Sequence, residues 1–276
     1  MIKATDVSEL EEIARKIRVD IIKMINAAGS GHPGGSLSAA EIFAVLYFNV
    51  MNHRPDDPNW EDRDRFVLSK GHACSGLYSA MARSGYLPVE ELMTLRKIDT
   101  RLQGHPSRTN LHGIEASTGS LGQGLSIATG IALGLKMDKK TARVYCLMGD
   151  GEQDEGQVWE AAMSASHYKL DNLCAIVDRN KLQIDGLTKD VMDIEPLDEK
   201  YKAFGWHVII VNGHNVGDLL KAFEEAEKMK GKPTVIIADT IKGKGVSFME
   251  NVADWHGRAP NDEQTKIALK DLGENV

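Results

Sequence analysis

Two consecutive stretches decide the fold: RVYCLMGDGE at residues 143–152 and NLCAIVDRNKL at residues 172–182. Each contains a short apolar run without polar alternation, which is typical of a parallel strand buried on both faces. A helical pattern from about Val158 separates the two runs, as a crossover between parallel strands requires. The pair therefore predicts a β-α-β unit of an α/β fold.

The same alternation of strand and helix extends outward from this unit in both directions. The further apolar runs are RFVLS (65–69), HVIIV (207–211) and TVIIAD (234–239), and helical patterns begin at about Ala73, near Leu197 and after Asn215. We predict a doubly wound, mainly parallel sheet with helices on both faces.

Two helical patterns precede the first apolar run. Ser8 and Glu11 fit a capping box that opens a helix, and apolar residues at helical spacing continue until Gly29 ends it. A second helical pattern spans Leu37 to Val50. The N-terminal region is therefore expected to contribute two amphipathic helices to the core.

We expect a single domain over residues 1–276, because no linker, repeat or low-complexity tract interrupts the pattern. A C-terminal loop is expected from about Ile241, and a short helix begins near Asn261. A chain of this length can bury a hydrophobic core large enough to be stable without disulfide bonds. Its three cysteines form no CxxC pair, so we expect them to be reduced in a cytoplasmic protein.

The composition argues against several classes of protein. The chain has 33 Lys and Arg against 40 Asp and Glu, a net charge of -7, which disfavours the broad basic surface of a nucleic-acid-binding protein. The N-terminus lacks the apolar stretch of a signal peptide, and no apolar run approaches the roughly 20 residues of a membrane span. We expect a soluble protein that handles any phosphate at a local site.

Polar residues stand directly after the two strands quoted first. They are Gly149-Asp150-Gly151-Glu152 and Arg179-Asn180-Lys181-Leu182. Because ligands bind beyond the carboxyl ends of parallel strands, we expect Asp150 and Asn180 to meet there and, with a backbone carbonyl, to hold Mg²⁺. The Gly151 N–H would then face a diphosphate. The Gly-Asp-Gly triplet alone is more often a tight turn, and it is the Asn after the next strand that favours a metal site.

Histidines provide a second signal, since six of the nine have a Gly neighbour. Four of them lie in loop motifs, where an imidazole can reach a ligand: His32, His72, His105 and His256. We expect these four to line one pocket. For His112 and His214 a role in a turn is the better interpretation. No HExxH or other close metal pair occurs, which argues against a histidine zinc site.

A loop of small residues, STGSLGQG at residues 117–124, opens another helix. Its spacing is GxxGxG rather than GxGxxG, which weakens a nicotinamide interpretation, and the chain has no P-loop. Close helix packing through glycine explains the loop and is compatible with backbone exposed to a flat cofactor ring. Lys242 and Lys244 in KGKG are either anion contacts or, as we favour, part of a solvated loop.

Together the motifs resemble those of the transketolase family of thiamine diphosphate enzymes. They occur in the family's order and span nearly the whole chain: SGHPG (30–34), SKGHA (69–73), GHP (104–106), TGSLGQG (118–124), GDGE (149–152) and WHG (255–257). The GDG triplet followed by Asn180 resembles the thiamine diphosphate signature itself. The resemblance implies the thiamine diphosphate-binding fold, with thiamine diphosphate and Mg²⁺ or Ca²⁺ as cofactors.

The resemblance also implies a role for each motif residue. The metal ligands would be Asp150, Asn180 and the carbonyl of Leu182. Contacts to the cofactor would come from His72, Gly119, Leu121, Gly151, Glu152 and His256, of which Gly119 and Leu121 would present backbone to the aminopyrimidine. The four loop histidines would line the sugar channel and act in catalysis. Glu155 matches an acidic position associated with communication between subunits.

The implied activity is transfer of a two-carbon ketol unit from a ketose phosphate to an aldose phosphate in carbohydrate metabolism, as in the pentose phosphate pathway. Full-length members continue with a pyrimidine-binding domain, which supplies the Glu that activates the cofactor, and a C-terminal domain. This chain ends at Val276. The resemblance therefore implies the N-terminal subunit of a split transketolase, active in a heterotetramer with a second subunit that carries those domains.

Other interpretations stay open at this point. The chain is alternatively a fragment of a longer transketolase or a cofactor-binding paralogue without catalysis. Other thiamine enzymes also fit, such as a specialised-sugar transketolase, a deoxyxylulose-phosphate synthase or a dehydrogenase component. The SGHPG and WHG motifs favour transketolase. Diphosphate binding alone does not need His32 and His105, so their presence favours catalysis.

Overall fold

A computed structural model describes residues 6–275. Its strands are β1 (Arg65–Leu68), β2 (Val144–Gly149), β3 (Leu173–Arg179), β4 (Leu182–Gln183), β5 (Gly186–Leu187), β6 (His207–Asn212) and β7 (Thr234–Asp239). Five of them form one sheet in the order β1-β2-β3-β7-β6, in which every neighbouring pair is parallel. The strands β4 and β5 form a separate antiparallel hairpin. The five predicted strands and their parallel pairing are confirmed.

Helices connect these strands. They are α1 (Val7–Ala28), α2 (Pro33–Leu37), α3 (Ala40–Val45), α4 (Cys74–Ser84), α5 (Gln123–Met137), α6 (Gly156–His167), α7 (Thr188–Val191), α8 (Leu197–Ala203), α9 (Val216–Lys228) and α10 (Asp262–Asp271). Short 3-10 segments include Gly71–Ala73, Gly151–Asp154 and Ala253–His256. The last helix begins where predicted, because Asn261 caps it in a capping box with Gln264.

The two faces of the sheet carry separate hydrophobic cores. Along β2, Tyr145 and Leu147 pack with helices α1, α3, α4 and α9, whereas Cys146 and Met148 pack with α5, α6 and α8. Successive side chains of a strand point to opposite faces, so both faces are covered. The predicted doubly wound architecture is therefore confirmed.

The N-terminal helices differ in detail from the prediction. Helix α1 begins at Val7, because the Asp6 side chain accepts a hydrogen bond from the Ser8 N–H at 3.1 Å. The predicted capping box that began at Ser8 is wrong, since an acidic N-cap already lies two residues earlier and also suits the helix dipole. Gly29 ends the helix in a left-handed conformation, as expected.

The second helical pattern is divided rather than continuous. Pro33 opens α2, as its fixed φ and missing N–H allow at a first helical position, and a break precedes α3. A π-helical turn at Leu46–Val50 then ends the segment at the predicted residue.

The strand β6 also departs from expectation, because it lies at the sheet edge and leaves Ile210 50% exposed rather than covered on both faces.

All three cysteines are free and buried. Two of them, Cys146 and Cys174, lie within strands of the core, as the apolar runs predicted. Within residues 6–275, no helix combines the length and the apolar character that crossing a membrane would take.

Candidate active site

The carboxyl ends of β2 and β3 lie side by side, since Gly149 pairs with Asp178. The residues that follow them enclose one pocket, which confirms that Asp150 and Asn180 come together. The pocket is lined by Gly35, Lys70, His72, Leu121, Gly149, Asp150, Gly151, Glu152, Asn180, Leu182, Gln183, Ile184, Lys242 and His256. Eight of these are residues to which the resemblance assigns a role at the metal, the cofactor or the substrate: His72, Leu121, Asp150, Gly151, Glu152, Asn180, Leu182 and His256.

Backbone N–H groups orient the two side chains expected to bind a metal. Asp150 accepts from the Gly151 N–H at 2.8 Å and from the Lys181 N–H, and the Asn180 amide oxygen accepts from the Leu182 N–H at 3.2 Å. Burial, together with the nearby negative charge of Asp178, raises the pKa of Asp150 to about 6. A carboxylate in such surroundings is stabilised by a cation, so the donor set suits a hard divalent ion.

The expected ligand set holds a carboxylate, an amide and a backbone carbonyl. Correspondingly, the described residues contain no group of three or more His, Cys, Asp or Glu side chains placed to hold a metal. The third oxygen, the carbonyl of Leu182, accepts from the Lys242 ammonium at 3.1 Å. A cation therefore already lies beside the predicted metal position.

Lys242 is 2% exposed, so the prediction that it belongs to a solvated loop is wrong. The segment after β7 folds over the pocket, where the Gly243 N–H donates to the Gly34 carbonyl at 3.0 Å. The Lys242 ammonium also lies 3.0 Å from His256 Nδ1. Burial and the neighbouring charge of Lys70 lower the pKa of Lys242 to about 8.

Glu152 lines the pocket, is buried, and connects two of its loops. Its carboxylate accepts from the Gly122 N–H at 2.9 Å, from the Gly149 N–H at 3.1 Å and from the Ser69 hydroxyl. These bonds fix the small-residue loop against the end of β2.

The four loop histidines form a cluster around His32. Its ring centroid lies 5.4 Å from that of His72, 6.1 Å from His105 and 5.5 Å from His256, and the rings of His72 and His256 are 5.1 Å apart. The four side chains lie together as expected, and two of them, His72 and His256, line the pocket described above. His105 is exposed and marks the open side of the cluster, whereas the other three are partly buried.

The cluster is neutral at physiological pH. Burial lowers the pKa of His32 to about 4 and that of His256 to about 3, and it also lowers those of His72 and His105. Positive neighbours add to the effect, and for His256 the largest of these is Lys242. The Nδ1 atom of His32 is buried without a hydrogen-bond partner, so it is available to a substrate hydroxyl.

Glycines allow the loop before α5 to approach its neighbours closely. Gly119 has a φ of +135°, and a Cβ there would lie 2.7 Å from Cδ2 of His105. A Cβ at Gly124 would lie 2.2 Å from Oγ of Ser69. Close packing through glycine, as inferred from the sequence, is confirmed.

The two histidines interpreted as turn residues do lie in turns. His112 is exposed. Atom Nε2 of His214 accepts from the Ile241 N–H at 2.8 Å, and its Nδ1 lies 3.1 Å from the Glu41 carboxylate. His214 therefore joins a turn to the segment that carries Lys242.

A family model described as the thiamine diphosphate binding domain of transketolase matches residues 10–276. The chain belongs to the transketolase family. Its sheet and helices match a crystal structure of transketolase from Campylobacter jejuni with a TM-score of 0.93 and 36% sequence identity, over 98% of this chain and 44% of that one.

Two transketolase relatives match over almost their whole length. The chain is 46% identical over 264 residues to a 6-deoxy-6-sulfo-D-fructose transketolase subunit of Clostridium sp. (strain MSTE9), covering 96% of each. It is 43% identical over 270 residues to an apulose-4-phosphate transketolase subunit of Phocaeicola vulgatus, covering 98% of this chain and 96% of the relative.

Human transketolase is 48% identical over 250 residues, which cover 90% of this chain and 40% of that protein. The chain thus spans less than half of the longer transketolases.

Sequence reasoning did not single out Lys70, which lines this pocket, or Asp178, with which Lys70 pairs. Their side chains form a buried ion pair, and Asp178 also accepts from the Ser38 hydroxyl at 2.6 Å and from the Thr240 hydroxyl. Burial alone would raise the pKa of Asp178, but Lys70 and the two hydroxyls outweigh it and lower that pKa. Lys70 directly follows the strand-end Ser69, and that position was the available signal.

Proposed function

We propose that this chain is the diphosphate-binding subunit of a two-chain transketolase that transfers a two-carbon ketol unit from a ketose to an aldose. One observation carries the proposal: a single pocket holds hard oxygen ligands, two buried ammonium groups and two histidines, His72 and His256, that belong to a cluster of four neutral imidazoles. The relatives that match over almost their whole length are named as subunits, which supports a split enzyme.

The charges of the pocket suit a diphosphate bound through a metal. Asp150, Asn180 and the Leu182 carbonyl would hold Mg²⁺ or Ca²⁺. Lys70 and Lys242 bring two positive charges to the same pocket, where they would offset the diphosphate charge. Further hydrogen bonds to the diphosphate would come from the Gly151 N–H, His72 and His256.

Bound thiamine diphosphate supplies the nucleophilic carbon and the electron sink that cleavage of a carbon–carbon bond needs. The chain's own contribution is the histidine cluster. A neutral imidazole can donate to the carbonyl oxygen of a ketose and accept a proton from a sugar hydroxyl, so His32, His72, His105 and His256 suit a cleavage that runs in both directions.

A second subunit would complete the site. We infer that Gly119 and Leu121 present backbone to the aminopyrimidine, and that Glu152 acts by holding their loop through the Gly122 N–H. The partner would supply the pyrimidine-binding domain with its activating Glu, and the C-terminal domain. Glu155 is exposed at the start of α6, where it can face another subunit of a heterotetramer.

For the sugars we propose a ketose and an aldose that carry an anionic group. The relatives of matching length are named for 6-deoxy-6-sulfo-D-fructose and apulose 4-phosphate, which carry a sulfonate and a phosphate. A specialised-sugar transketolase is therefore the second candidate, beside one that acts on the pentose phosphates. The three free cysteines support a reducing, cytoplasmic compartment.

The test is ketol transfer by the chain combined with the polypeptide of the neighbouring reading frame, thiamine diphosphate and Mg²⁺. We expect His105→Ala to slow turnover by roughly 100-fold, the usual contribution of a general acid or base. The matched control is His112→Ala, which removes an exposed histidine outside the cluster. An unchanged rate in the His105 variant would instead support a cofactor-binding protein whose histidines play no part in catalysis.

A further inference from the structure

We propose that Arg96 recognises the anionic end of the sugar substrate, a phosphate or a sulfonate, at the mouth of the histidine cluster. This inference rests on the function proposed above. It assigns to this chain a residue that recognises the charged end of the sugar.

The position of Arg96 is set by its contact with the loop that carries His105. Its Nη2 donates to the Gly104 carbonyl at 3.3 Å, and a Cβ at Gly104 would lie 2.8 Å from its Cζ. The guanidinium therefore lies against the residue next to His105. Both Arg96 and His105 are exposed, so the guanidinium lies on the open side of the cluster.

The charge of Arg96 has no acidic partner among residues 6–275. The nearby Arg101 pairs with Glu91 at 2.5 Å, whereas the hydrogen bond found for the Arg96 guanidinium within residues 6–275 goes to the Gly104 carbonyl. A guanidinium without a carboxylate keeps most of its donors available, in a planar arrangement that matches phosphate and sulfonate oxygens.

The backbone of Arg96 is held in an unfavourable conformation. Its φ is +60°, and the Asp99 φ in the same turn is +62°. A left-handed conformation is costly for residues other than glycine and persists where the surrounding structure enforces it. Here the turn is closed by the Arg96 N–H, which donates to the Leu102 carbonyl at 2.9 Å.

Arg96 lies at the opposite end of the cluster from the two lysines of the pocket. Burial lowers the pKa values of all four histidines, and Arg96 adds to this effect on His32 and His105, whereas Lys70 and Lys242 add to it on His72 and His256. Lys242 also lowers the pKa of His32. His32 lies between the two ends. A sugar that reacts beside the diphosphate and extends along the cluster would place its far end next to Arg96.

The test compares Arg96→Ala with the wild type in the reconstituted two-chain enzyme. The donors are xylulose 5-phosphate, 6-deoxy-6-sulfofructose and uncharged erythrulose. We expect kcat/KM to fall about tenfold for whichever charged donor is used, the loss of one exposed charge-assisted contact, and less than about twofold for erythrulose. The matched control is Lys97→Ala, which removes an exposed cation from the same turn and should leave all rates unchanged.

An equal loss on charged and uncharged donors would show that Arg96 only supports the loop, and no loss on any donor would show that it does not bind substrate. Either result overturns the inference. If the wild type itself transfers no ketol unit from any donor, the function proposed above fails instead. Higher salt should lower kcat/KM for the charged donors more in the wild type than in the Arg96 variant, because salt screens the charge of the guanidinium.

Discussion

Replacing Lys70 by Met tests the buried charge pair at the base of the pocket. The side chains of Lys70 and Asp178 are 1% and 0% exposed. Without the ammonium, Asp178 keeps only uncharged donors, from Ser38, Thr240 and Asn180. Removing one partner of a buried pair costs about 3–5 kcal/mol. We expect Lys70→Met to lower the free energy of unfolding by about that amount near neutral pH.

The loss should shrink in acid, and the direction follows from the pKa of Asp178. In the wild type, folding lowers the pKa of Asp178. The ionised carboxylate therefore stabilises the folded chain at any pH above the pKa of Asp in the unfolded chain, and this stabilisation is lost as the pH falls through the lowered pKa. In the variant, burial is no longer opposed by Lys70 and raises the pKa. Above this raised pKa the variant carries the whole cost of an unpaired buried carboxylate. Below it, protonation neutralises Asp178 and the cost disappears.

The assay is urea unfolding followed by circular dichroism, at about pH 7.5 and about pH 5. The matched control is Lys244→Met, since Lys244 pairs with Glu250 at 3.3 Å while both side chains are 33% exposed. An exposed pair contributes less than about 1 kcal/mol, so this variant should hardly differ from the wild type. Equal losses in the two variants, or a Lys70 deficit that grows in acid, would refute the reasoning.

Three further perturbations probe the same structure. Asp150→Asn should weaken Mg²⁺-dependent binding of thiamine diphosphate, as titration calorimetry of the two-chain enzyme can measure. Losing a residue that only hydrogen-bonds to a metal ligand costs roughly 10–100-fold in metal affinity, and losing the ligand itself should cost more. Because burial lowers the pKa of Lys242 to about 8, binding of the diphosphate should weaken as the pH rises through that value, and Lys242→Met should bind more weakly with a flatter pH profile in the same titration. In α5, Gly124→Ala should destabilise the chain by about 1–3 kcal/mol through its clash with Ser69, whereas Gly130→Ala, which meets nothing within 4 Å, should stabilise it by about 0.5–1 kcal/mol in urea unfolding.

The strands were predictable because their apolar runs are buried by both layers of helices. The run TVIIAD has four consecutive apolar residues and forms a strand inside the sheet, and the structure gives it the same bounds, Thr234–Asp239. The run HVIIV shows the limit of this reasoning, since its composition does not reveal that β6 pairs on one side only. The cap at Asp6 was missed because two residues of the same capping type stand close together, and local pattern does not decide between them.

The site was predictable where its residues directly follow a strand or lie in a motif. Asp150 and Asn180 come together because parallel strands end at one edge of the sheet. Lys242 was misjudged because a Gly- and Lys-rich segment has the composition of a solvated loop, and only the fold shows that it covers the pocket. The Lys70–Asp178 pair depends on side chains from two different strand ends, which sequence spacing does not reveal.

The central claim is that this chain supplies one half of a shared active site. It is tested most directly by titrating a fixed amount of the chain with its companion polypeptide at saturating thiamine diphosphate and Mg²⁺, and following ketol transfer from a ketose to an aldose. We predict negligible turnover by either chain alone and a rate that rises until the two chains are equimolar. Robust turnover by either chain alone, or none at any ratio, would contradict the account.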